Sequence, residues 1–129
     1  MHRCALTAFA AVALLSSAQA QTHNELRRFP AQALRGELTV KSAPDVLING
    51  QPARLSPGSR IKGENQLLVL PATVVGQKFV VNYTVDSYGL IQEVWVLTPA
   101  ERAVQPWPTS PAEAGKWVFD ANAQRWSKP

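Results

Sequence analysis

Between Gly36 and Leu97 the apolar positions come in short runs, each closed within about a dozen residues by Gly, Pro, Asn or Asp. No stretch of useful length keeps the 3.6-residue period of an amphipathic helix. The pattern predicts an all-β fold: a small antiparallel barrel or sandwich, OB-like or SH3-like. Ile48-Asn49-Gly50-Gln51 predicts a two-residue hairpin, because Asn-Gly tolerates the positive φ that both turn positions require. Pro52 cannot donate to a ladder and marks the strand after that turn as an edge. Ser56-Pro57-Gly58-Ser59 suits a type II turn, with Ile61 and then Leu67 to Leu70 on the strands beyond it.

The clearest unit runs from Lys78 to Leu97. A loop of Asp86, Ser87, Tyr88 and Gly89 sets Val85 opposite Leu90. Alternation then gives one face Phe79, Val81, Tyr83, Val85, Leu90, Val94 and Val96, interrupted only by Gln92, and this is the expected core face. The opposite face carries Lys78, Val80, Asn82, Thr84, Ile91, Glu93, Trp95 and Leu97. It is too apolar to be fully wetted, so something is expected to cover part of it.

Past Leu97, Pro99, Pro106, Pro108 and Pro111 crowd together with Trp107 among them, which favours extended polyproline geometry in a linker over residues 99–115. Residues 116–129 read as a terminal hairpin with Trp117 opposite Trp126. An isolated hairpin is marginal in water, so packing on the Val80 and Trp95 face is expected. Before the β domain (residues 36–98), residues 21–35 read as a tether with at most a turn or two of helix from Asn24, limited by Pro30.

The first twenty residues follow none of these periods. Arg3, the apolar stretch Ala5 to Leu15 and Ala18-Gln19-Ala20 have the charge, length and small-residue site of a secretory signal peptide. The apolar stretch falls short of the roughly 20 residues that span a bilayer. Cleavage after Ala20 places the mature chain in the periplasm or outside the cell. It also removes Cys4, the one cysteine of the 129 residues, so disulfides and cysteine metal sites are excluded. The formal net charge of +4 falls by one with Arg3 and is spread along the chain. Weak affinity for anionic surfaces follows, but not the basic stripe of a nucleic-acid binder.

The inventory for catalysis is thin. His23 is the one imidazole after the cleavage site, which leaves little for a Ser-His or Cys-His pair. Asp86 and Glu93 are candidates for a carboxylate pair of hydrolase type, although a turn role for the first and an outward position for the second account for them more simply. Phosphate-binding glycine loops and metal-ligand spacings are absent. A mature terminus Gln21-Thr22-His23 offers an amine, two amides and an imidazole to Cu(II) or Ni(II) in a square plane. Tyr88 and Trp95, with Arg60 or Lys62, have the composition of a single-strand nucleic-acid platform, against which export argues.

Asn49-Gly50-Gln51-Pro52-Ala53-Arg54-Leu55, Gly58-Ser59-Arg60-Ile61 and the stretch from Asp86-Ser87-Tyr88-Gly89-Leu90 to Val94-Trp95-Val96-Leu97-Thr98 resemble a group of small exported proteobacterial proteins with a compact β domain. The resemblance spans Val46 to Thr98. It implies export and a β domain, and brings no activity and no site residue. The function expected from the sequence is therefore non-enzymatic. It is a monomeric accessory or binding module without cofactor, contacting another envelope protein, a peptide or a glycan through an aromatic-bearing β face built from Tyr88, Trp95, Trp107, Trp117 and Trp126. Metal binding at His23 is the alternative.

Overall fold

The computed structural model describes residues 26–129; the leader and cleavage site expected over residues 1–20, and Gln21-Thr22-His23, lie outside the described residues. Five strands close a barrel in the order β1-β2-β3-β5-β4: β1 (Leu34–Ser42), β2 (Asp45–Ile48), β3 (Gln51–Lys62), β4 (Lys78–Val85) and β5 (Ile91–Val96). Closure by β1 against β4 leaves no continuous sheet edge. All pairs are antiparallel except β3 with β5, which run parallel across the long β3–β4 crossover. A closed five-stranded barrel with one such crossover corresponds to the OB-like expectation.

The Asn-Gly turn forms as its chemistry dictates, with φ of 53° at Asn49 and 79° at Gly50 and Ile48 paired to Gln51. Asn49 Oδ1 also accepts from the Glu37 amide at 2.9 Å, which ties the turn to β1. Ser56-Pro57-Gly58-Ser59 is not a turn. Gly58 lacks the positive φ of a type II turn, and β3 continues through it with a register shift between Leu55 and Arg60. The irregularity falls where β3 leaves β2 and takes up β5, so a proline without an N–H costs no ladder bond there. Pro52 likewise sits in the first part of β3, where β2 is the partner and β5 has not yet begun, so the edge it marks is local.

The β4–β5 register also departs from simple alternation. Val81 pairs with Val96 and Tyr83 with Val94, but Val85 pairs with Ile91, so Gln92 and Glu93 together stand opposite Thr84. This bulge turns Ile91 into the core and leaves Val85 exposed, the reverse of the expectation for both. Thr84 Oγ1 accepts from the displaced Glu93 amide. Phe79 and Trp95 fall on opposite faces, as the alternation requires.

Two cores result. The first fills the barrel with Leu38, Val40, Val46, Ile61, Val81, Val94 and their neighbours. The second lies outside it, where Phe29, Ala33, Leu97, Trp107 and Trp126 cover Val80 and Trp95. The cover is formed by residues 26–33 and by the C-terminal segment, which holds α1 (Pro99–Arg102), α2 (Pro111–Lys116) and the hairpin β6 (Val118–Asp120) and β7 (Arg125–Ser127).

The proline-rich segment is thus not uniformly extended. Thr98 and Ser110 cap short helices with proline in the first turn and Glu101 or Glu113 at the third helical position. In the hairpin Phe119, not Trp117, pairs with Trp126; Trp117 caps α2. Asp120 Oδ1 closes a four-residue loop by accepting from the Asn122 and Ala123 amides, and this sets the register two residues from the expected one.

Candidate functional site

The four tryptophans expected on a binding face meet inside the molecule. Trp107 and Trp126 are each 6% exposed, and Trp95 and Trp117 are half-buried beside them. Phe29 meets Trp95 edge-on at 5.5 Å and Trp107 at 5.8 Å; Phe119 stacks on Trp126 at 4.8 Å. Trp107 Nε1 donates to the Ala33 carbonyl at 3.0 Å, while Trp126 Nε1 finds no acceptor among the described residues. The aromatic surface is thereby used to seal the chain's own ends onto the barrel. Tyr88 stands apart at the tip of the β4–β5 loop, 88% exposed.

The two candidate carboxylates are occupied differently. Asp86 Oδ1 accepts from the Tyr88 and Leu90 amides, both at 2.9 Å, and so holds its own loop. Glu93 sits at the bulge across from Arg60. His23 lies outside the described residues.

A polar network missed by the sequence reading joins the two cores. Arg27 donates to Glu101 Oε1 at 2.7 Å and to Oε2 at 3.0 Å, and also to the carbonyls of Gly63 and Val96. Both partners are buried. Burial alone pushes the Glu101 carboxyl up, but the hydrogen bonds from Arg27 and the Thr98 amide outweigh it and leave it below the usual carboxylate range. Arg35 is lowered to about 10 by burial, partly offset by Glu101. It donates to Asn82 Oδ1 and to the carbonyls of Val104 and Glu101, and stacks over Trp107 at 5.0 Å. One signal for Glu101 was legible: Thr98-Pro99-Ala100-Glu101 is a capping-box sequence.

One concave region among the described residues is the barrel end crossed by residues 63–77. This strap leaves β3 through an isolated bridge between Lys62 and Leu68, makes a 3-10 turn at Pro71–Thr73, and reaches β1 through a bridge between Val40 and Val75. Behind it lies a cleft of about 490 Å³ that reaches the barrel core at Leu38, Ile61, Phe79 and Val96, with Val69 and Val74 as its outer wall. Glu64, Asn65 and Gln77 also line it. Leu67, Leu68 and Leu70, expected on a strand, instead stand on the strap's outside, 66%, 67% and 69% exposed. A second groove, about 600 Å³, follows β3 between the Ala43-Pro44 turn and Leu90.

Comparison of the chain with family models, with curated proteins and with solved structures finds no match.

Proposed function

We propose that this chain is an exported, non-catalytic binding module of the cell envelope, and that its contact surface is the open end of the barrel. The observation that carries the reading is the conjunction of a ligand-sized apolar cleft with three leucines left in water beside it. Exposed apolar clusters of this kind mark interaction sites, since a folded chain gains by burying them. The aromatic cluster supports the module by fixing its frame: Arg27, held by Glu101, grips Gly63 at the root of the strap and Val96 at the cleft wall.

The uncharged dye N-phenyl-1-naphthylamine tests the reading. Saturable uptake that is lost in Val74→Arg, with the melting temperature retained, is the expected result. Uptake unchanged in that folded variant would overturn it. A glycan or peptide in the β3 groove is the second reading, favoured by Tyr88 on the adjoining loop and by the use of this side of OB-type barrels for oligosaccharides. Loss of glycan or peptide binding in Tyr88→Ala with dye uptake intact would select it.

A further inference from the structure

Resting on the barrel-end reading, we infer that the surface this end engages is an anionic lipid leaflet, with the strap as its interfacial anchor. From Gln66 to Gln77 the strap carries no charged residue; Lys78 follows the run directly, and Glu64 and then Lys62 precede it. Lys62 bridges to Leu68, and Lys41 follows Val40, the strap's contact on β1, so three lysines stand at the base of an apolar tip. Glu37 lies 3.9 Å from Lys78 and Glu64 3.8 Å from Arg102, so these pairs offset one another and Lys41 and Lys62 carry the excess positive charge. Leucines that enter the acyl boundary while lysines meet anionic headgroups are the two components of interfacial binding.

Much of the strap's backbone is satisfied within the molecule: Leu67 donates to Asn65 Oδ1, Val69 to Ile61, Thr73 to Leu70, Val74 to Pro71 and Gly76 to Val40, while the Leu68 and Leu70 amides are left to water or headgroups at an interfacial depth. The tip also lacks the Trp, Tyr and Arg anchors that carry most protein–protein hot spots, among which leucine is under-represented. Positive charge around an aliphatic tip therefore favours lipid over a protein partner.

Co-sedimentation of the exported chain with vesicles of equimolar phosphatidylglycerol and phosphatidylcholine, against phosphatidylcholine alone, tests the inference. The expected result is preferential binding to the anionic vesicles, weakened by 0.5 M salt. At least a tenfold loss is expected in the triple variant Leu67→Ser, Leu68→Ser, Leu70→Ser with its melting temperature held. Lys41→Glu with Lys62→Glu should remove the preference for anionic lipid. Equal binding by the folded triple variant would reduce the effect to general charge attraction and overturn the anchor. Dye uptake in the cleft without vesicle binding overturns the lipid assignment and leaves the binding-module reading standing; absence of both removes the reading as well.

Discussion

A single carboxylate carries much of the attachment between the chain's ends and its barrel. Glu101 receives Arg27 on both oxygens and closes the capping box of α1, so removing its charge strands a buried guanidinium. Glu101→Gln should cost about 3–5 kcal/mol in urea unfolding, and Arg27→Leu combined with Glu101→Leu less than the sum of the single changes. The pH dependence follows from the depressed carboxyl: its contribution is present above the unfolded carboxylate pKa and is lost as the pH falls through the folded one. A wild-type chain should therefore lose stability on acidification below the ordinary carboxylate range, and Glu101→Gln should lose less. Two tryptophans give a matched comparison. Trp107→Phe removes the donor to Ala33 whereas Trp126→Phe removes an N–H without an acceptor among the described residues, so the first should be the costlier by about 1–2 kcal/mol in thermal melts.

At the scale of elements, local chemistry decides wherever the partner is close in sequence. The Asn49-Gly50 turn and both proline-led capped helices use residues within a few positions of one another, which is why the turn was legible and why the Thr98 and Ser110 helices had a readable signature beneath their prolines. Gly50 stands at φ 79° with open space where a Cβ would go, so Gly50→Ala should cost about 1–2 kcal/mol through backbone strain alone, measured by chemical denaturation. The strap is the opposite case. Leu67-Leu68-Val69-Leu70 has the composition of a strand, yet the ladder around the barrel is already closed by β1 and β4, and the strap is left with single bridges to Lys62 and Val40. Leu68→Ser should shift stability by no more than about 0.5 kcal/mol, because its side chain is already in water; a loss of several kcal/mol would show that the strap plugs the barrel.

At the scale of the whole molecule, the described residues form one barrel with a coat made from the segments that flank it. Phe29, Trp107, Phe119 and Trp126 converge on Val80 and Trp95 from segments far apart in the chain. Truncation after Thr98 should expose that face and give a chain that aggregates or binds hydrophobic dye nonspecifically, as light scattering would report. Legible along the chain were the β class, the barrel-scale spacing of turns, the Asn-Gly hairpin, the faces of the β4–β5 unit away from its bulge and the need for a cover over Trp95. All of these follow from side-chain period and from turn residues acting within a few positions. Tertiary structure alone decided the parallel β3–β5 pair, the bulge that turns Ile91 inward, the register of the terminal hairpin and the Arg27–Glu101 link. It also decided which apolar residues were left over. Tryptophan and leucine are equally apolar as letters, but closure of the barrel and docking of the ends consumed the tryptophans and left Leu67, Leu68 and Leu70 in water. Burial is allotted by the geometry of the whole chain, and no local pattern encodes that allotment.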